Sequence, residues 1–220
     1  MPDFADLPKI LRDGYEGWRA ALLPAQAQAH HALASGQAPP VMVISCCDSR
    51  VQPTELFAAA AGSLFVHRNI ANLVPPYKPD GAPDGVEIGT AAAVEYAVVA
   101  LKVKHLLVLG HSQCGGVAFC HSVCKAGAEH NETTFEFVGS WLQSLRPAYE
   151  KIDAAAEMAV QHTQMEQAGI VGSLDNLAAY PFVAKALAAG RLQLHGAWHD
   201  IASGTLYVLD GQSRAFAPIV

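Results

Sequence analysis

Hydrophobic positions along the chain change their period near residue 40. Over the first 35 or so residues they recur at helical spacing, Leu7, Ile10 and Leu11, then Trp18, Ala21 and Leu22, with Pro24 interrupting. This predicts a pair of helices, an arm over 1–35 that lies either on a neighbouring subunit or on its own domain. After Pro39-Pro40 the pattern becomes short continuous apolar runs: Val41-Met42-Val43-Ile44-Ser45, then Leu64-Phe65-Val66, then Leu106-Leu107-Val108-Leu109, closed by Gly110. Such runs suit strands buried on both faces. Between the second and third, Asp84 and Glu87 give an N-cap signal, and Ile88, Ala91, Ala92 and Glu95 carry a helical period on toward Leu101. Further helices are expected at about 115–125, 133–149, 152–167 and 173–188. A strand returns at 192–198, and 205–209 pairs with it as a hairpin through Ser203-Gly204.

Apolar strands alternating with helices predict an α/β fold: a mostly parallel central sheet flanked by helices, with an N-terminal helical arm and a C-terminal hairpin at the sheet edge. With no repeat and no low-complexity linker, 1–220 reads as a single domain. Open sheets of this kind bind ligands at the carboxyl ends of their strands, near the switch point of strand order. Two expected strands end in unusual chemistry. One runs into Cys46-Cys47-Asp48-Ser49-Arg50, the other into Gly110-His111-Ser112-Gln113-Cys114-Gly115-Gly116. If these strands are neighbours, both segments converge on one crevice.

Composition narrows the setting. Hydrophobic residues make up 51% and charged residues 15%, which suits either a membrane protein or a soluble protein that buries surface in an oligomer. The most apolar stretch, 88–103, is broken by Glu95 and Lys102 and falls short of the roughly 20 residues that span a bilayer. Asp3 and Asp6 stand where a signal peptide needs base. A soluble cytoplasmic oligomer is therefore expected. The net charge of -6, without a basic cluster, gives no footprint for nucleic acid or an anionic membrane. Five cysteines, an odd number, argue against a disulfide framework and for metal-ligating or catalytic thiols.

His111 and Cys114 form an H-x-x-C step at a strand-to-helix junction, which brings both donors to one side of the turn. Adding Cys46 gives a Cys₂His set, which leaves zinc a fourth position for water. Neighbouring Cys47 points to the opposite face of the strand, and Cys120 and Cys124, four apart on a helix, read as small core residues. Asp48 and Arg50 alternate with Cys46, so all three point the same way. A carboxylate gripped by a guanidinium stays ionised and can only accept hydrogen bonds, which suits it to orient a hydroxide.

Three segments together resemble the signatures of the β-class carbonic anhydrases: Cys46-Cys47-Asp48-Ser49-Arg50-Val51, His67-Arg68-Asn69-Ile70-Ala71-Asn72 and Gly110-His111-Ser112-Gln113-Cys114-Gly115-Gly116-Val117. The likeness runs from about Gln37 to Gly116 and resumes at His195-Gly196-Ala197-Trp198. It implies one zinc per subunit on Cys46, His111 and Cys114, with Asp48 and Arg50 as the catalytic pair. It also implies a carbon dioxide or bicarbonate pocket shared across a dimer, with Gln37 hydrogen-bonding substrate, Phe65, Ile70 and Tyr96 as apolar lining, and the Gly115 amide as an oxygen-binding donor. The expected reaction is reversible hydration of carbon dioxide to bicarbonate and a proton by zinc-bound hydroxide, in a homodimer or dimer of dimers. Two departures from the family pattern matter. Val43 stands where some bacterial members place the tryptophan of a regulatory bicarbonate site, although Arg68 is present. Ala100 stands where some plant members carry a proton-passing histidine. Rival readings are a carbonyl sulfide or carbon disulfide hydrolase on the same fold, a form closed by Asp48 turning onto the metal, and a non-catalytic zinc-stabilised scaffold.

Overall fold

The computed structural model describes residues 7–79, 88–127 and 135–219. The N-cap signal at Asp84 and Glu87, and the start of the helix expected from 133, lie outside them. The chain divides into two compact units, one ending at Gln37 and one beginning at Ala38. In the first, helices α1 (Lys9–Ala21) and α2 (Pro24–Leu33) follow the expected break. Pro24 opens α2, where a missing N–H costs no helical bond, and Gln26 Oε1 accepts from the Leu23 amide at 2.9 Å. No residue of α1 is buried, and Ile10, Leu11, Tyr15 and Trp18 all stand exposed.

The second unit is built on strands β1 (Val41–Cys46), β2 (Leu64–Asn69), β3 (His105–His111), β4 (Gln193–His199), β5 (Leu206–Leu209) and β6 (Phe216–Pro218). Their order is β2-β1-β3-β4-β5-β6, parallel from β2 to β4 and antiparallel beyond. Strand β6 was not expected; three residues are too short for a periodic signal. Helices α3 (Pro53–Leu56), α4 (Ile88–Glu95) and α5 (Gly115–Lys125) come next in chain order, and α4 widens into a π turn over Tyr96–Leu101.

All three helices expected between α5 and β4 are redrawn. The stretch to Tyr149 breaks into α6 (Val138–Leu142), a 3₁₀ turn (Gln143–Leu145) and α7 (Arg146–Tyr149), because Pro147 cannot donate inside a continuous helix. Beyond it, α8 (Met158–Ala179) runs unbroken through Gly169 and Gly172, and α9 (Pro181–Ala188) starts only after the Tyr180-Pro181 step. Packing overrides glycine's weak helix propensity here: a Cβ at residue 169 would lie 2.7 Å from Leu145 Cδ1. Residues just before α8 stay non-helical. Asp153 Oδ1 accepts from the Ala155 amide at 2.9 Å, and Gln161 Nε2 donates to the Ala154 and Ala156 carbonyls at 3.2 and 2.7 Å.

The central strands β1 and β3 are buried on both faces. Met42, Ile44, Leu106 and Val108 pack with Val94, Val98, Ile170, Leu174, Leu177 and Val183 of the covering helices. Val43 and Leu109 point the other way, onto Val51 and Ala197. Each such side chain contributes about 1.5–3 kcal/mol by leaving water. Among the described residues no helix is long and apolar enough to cross a membrane.

Topology sets where chemistry can occur. From β1 the chain passes to β2 on one side and later returns as β3 on the other. The crossover connections therefore part between the carboxyl ends of β1 and β3, opening a crevice there.

Candidate metal centre

Cys46 closes β1, His111 closes β3, and Cys114 is the N-cap of α5, so the fold delivers all three to that crevice. Their donor atoms lie within 4.8 Å of one another, and all three residues are buried. The two sulfurs stand 4.0 Å apart. A tetrahedral zinc with Zn–S bonds of about 2.3 Å needs sulfurs about 3.8 Å apart, whereas a disulfide needs about 2.05 Å. None of the five cysteines is joined in a disulfide.

The imidazole is set for the same role. His111 Nδ1 lies 2.9 Å from the Ser112 carbonyl, which can only accept, so Nδ1 carries the proton and Nε2 presents a lone pair. That Nε2 is buried and has no hydrogen-bond partner. A buried orphan of this kind costs about 1–3 kcal/mol unless something takes its lone pair. Two sulfurs and one bare imidazole nitrogen fit zinc. The two thiols share one proton: a hydrogen bond from Cys114 pulls the Cys46 thiol down to about 4, against its burial, and the same bond with burial pushes Cys114 up.

Beside them stands the carboxylate. Arg50 donates to Asp48 three times, from its amide (3.0 Å) and Nε (2.9 Å) to Oδ1, and from Nη2 (2.7 Å) to Oδ2. These bonds from Arg50 hold the Asp48 carboxyl well below the usual carboxylate range. Oδ2 lies 3.9 Å from His111 Nε2, so an accepting oxygen borders the donor set. Arg50 Nη2 also donates to the Gln113 carbonyl at 3.0 Å, tying the two converging segments together.

Arg68, which the sequence marks only for a regulatory site, instead grips the first segment. It donates to the carbonyls of Cys46 (2.9 Å), Asp48 (2.7 Å) and Val51 (2.8 Å) and to Gln52 Oε1 (2.8 Å). Val43 is wholly buried in the sheet core. His67 Nε2 meets Thr90 Oγ1 at 3.0 Å, and burial lowers its pKa.

The expected pocket residues divide. Phe65 and Tyr96 are in ring contact, centroids 5.9 Å apart, and Tyr96 and Ile70 are partly open to solvent. Ile70 Cγ2 lies 2.9 Å from where a Cβ on Gly116 would stand, so Gly116 admits it beside α5. Gly115 opens α5, with open space where a Cβ would stand. Gln37 closes the N-terminal unit and is exposed. Cys47 is exposed while Cys46 is buried, and Cys120 is wholly buried with its thiol 3.5 Å from the Leu142 carbonyl.

One residue at the site has no counterpart in the sequence reading. Glu166 of α8, buried, accepts from the Cys114 amide and from Trp198 Nε1, each at 3.0 Å. Burial raises its pKa and those bonds oppose the rise. A signal exists, an acid spaced with Ile170, Ser173 and Leu177 on the buried stripe of one helix, but it vanishes once that helix is split in two.

Comparison with known proteins points the same way. The carbonic anhydrase family model matches residues 41–206. A carbonic anhydrase of Pseudomonas aeruginosa is 38% identical over 213 residues, covering 94% of this chain and 90% of that protein. The β-carbonic anhydrase CcaA superposes with a TM-score of 0.85 at 30% identity, covering 96% of this chain and 98% of the other. A structure from work on two tetrameric β-carbonic anhydrases of the filamentous ascomycete Sordaria macrospora gives a TM-score of 0.74 at 30% identity, covering 95% of each chain. The matched span holds Cys46, Asp48, Arg50, His111 and Cys114, and with the whole fold superposing as well, the chain belongs to the β-class carbonic anhydrases.

Proposed function

We propose that Cys46, His111 and Cys114 hold one zinc ion per subunit, and that this centre hydrates carbon dioxide reversibly to bicarbonate and a proton. The observation that carries the reading is the bare, buried Nε2 of His111, facing two sulfurs with Asp48 Oδ2 at 3.9 Å. When bound, zinc supplies the Lewis acidity that makes water a nucleophile near neutral pH. Asp48 accepts the proton of that nucleophile in a hydrogen bond and so turns a lone pair toward substrate, because an ionised carboxylate has no proton of its own to donate. Arg50 keeps Asp48 ionised and aimed. Its three bonds to Asp48 support this open arrangement over one in which Asp48 turns onto the metal. A scaffold has no need of such a pair.

Phe65, Ile70 and Tyr96 supply an apolar wall for carbon dioxide, and the Gly115 amide and Gln37 act as donors to its oxygens. The pocket is completed in a homodimer or dimer of dimers. Among the described residues β2 is an unpaired sheet edge, and Ile70, Tyr96 and Val99 are exposed, as suits a face covered by a second copy. Residues 1–35 serve as an arm to one carbonic anhydrase domain, and cysteines outside any disulfide fit a cytoplasmic enzyme. Stopped-flow hydration alongside zinc analysis tests the proposal. Chelation should abolish activity and added zinc restore it; full activity in zinc-free protein would sink it.

A further inference from the structure

Among the described residues Glu166 is the only buried carboxylate, and it lies under the turn that carries two of the three metal donors. Two strand glycines let α8 come that close. A Cβ at residue 110 would meet Ile170 Cδ1 at 2.7 Å, and one at residue 196 would meet Ile170 Cγ2 at 3.0 Å and Leu174 Cδ1 at 3.1 Å. The turn itself is left-handed at Gln113, φ 56°. This sends the Gln113 carbonyl outward to Arg50 and the next amide, that of Cys114, inward to Glu166. The turn is thus held from both sides, by a cation on its carbonyl and an anion on its amide.

The opposite oxygen of Glu166 is fixed by Trp198, which is buried in β4 directly across from Gly110. These two partners are N–H donors, one on each oxygen of Glu166, and a carboxylate offers an acceptor to each. A glutamine would satisfy one and turn its own NH₂ against the other.

We propose that Glu166 is a positioning residue of the metal centre: through the Cys114 amide it fixes where Cys114 Sγ stands relative to Cys46 and His111, and Trp198 holds Glu166 in place. The proposal rests on the zinc reading above. Groups that orient metal ligands typically change metal affinity 10–100-fold when altered.

The test uses the full chain as E166Q, W198F and the double variant, with zinc affinity from chelator competition, the visible spectrum of the cobalt(II)-substituted protein, and melting of the metal-free form. E166Q should bind zinc about 10–100-fold more weakly and shift the cobalt bands. W198F should change both in the same direction but less. The double variant should recover toward wild type, because the glutamine oxygen then serves Cys114 with no donor opposing its amide. A lower melting temperature in E166Q with wild-type zinc affinity and cobalt spectrum would overturn the proposal, as would a double variant worse than E166Q. If E166Q does not fold, W198F decides: an unchanged cobalt spectrum rejects the role. Failure of the wild type to bind zinc would instead reject the reading beneath it.

Discussion

Replacing Asp48 by asparagine keeps the side chain's size and changes what it offers its neighbours. Asp48 receives two bonds at Oδ1 and one at Oδ2, all from Arg50. Asparagine has one oxygen. Placed at Oδ1 it keeps two of the three bonds; placed at Oδ2 it keeps one, so the first arrangement wins. The atom 3.9 Å from His111 Nε2 then changes from an acceptor to an N–H donor, and it also opposes Arg50 Nη2. The fold should hardly notice, since ion pairs with an exposed partner contribute little. Catalysis should. Removing one pre-set hydrogen-bond partner typically lowers kcat by about 10²–10³. A partner used only in the transition state lowers kcat and kcat/KM together. Stopped-flow hydration, with zinc measured on the same samples, reads the effect. An Asp48→Asn protein with full zinc that turns over within a few-fold of wild type would refute the orienting role. Because Arg50 keeps Asp48 ionised, the wild-type pH profile should also show no Asp48 titration above about pH 5.

Three further outcomes follow from other contacts. In the metal-free protein Cys46 titrates at about 4 while Cys114 is pushed up, so thiolate absorbance at neutral pH should correspond to one thiolate from this pair, isolated by comparison with Cys46→Ser; none or two would contradict the shared-proton geometry. The sign is fixed by the depressed Cys46: its contribution to metal-free stability is full above the ordinary thiol range and is lost as pH falls through about 4, while Cys114 works oppositely. Gly116→Ala places a methyl 2.9 Å from Ile70 Cγ2 and 3.2 Å from Ala71 Cβ, and should cost about 1–3 kcal/mol, read as a fall of several degrees in Tm; an unchanged Tm would mean that Ile70 yields freely. Deleting residues 1–35 removes α2 and α1, the latter with no buried residue, so the remaining chain should fold but form a smaller assembly by light scattering; an unchanged mass would assign the arm another role.

Much of the fold is written locally. Continuous apolar runs mark β1 and β3 because a strand between two covered faces has no polar side to show. The proximity of Cys46, His111 and Cys114 is legible once β1 and β3 are neighbours, since Cys46 and His111 end those parallel strands and Cys114 follows His111 by three residues. What the sequence leaves open is decided by distance between elements. Gly169 and Gly172 read locally as breaks, yet α8 continues because Leu145 needs the space that a side chain at 169 would fill. Arg68 shows its grip on Cys46, Asp48 and Val51 only once β2 lies beside β1. Glu166 looks like any helical acid until α8 settles onto Gly110 and Gly196 and carries it to the Cys114 amide. Side-chain pattern, a property of neighbours in the chain, determined β1 to β5 and marked Cys46, His111 and Cys114 as candidate donors. Which partners meet around those donors was decided by tertiary packing, because hydrogen bonds across 52 and 32 residues of chain, to Cys114 and Trp198, leave no trace in any local period.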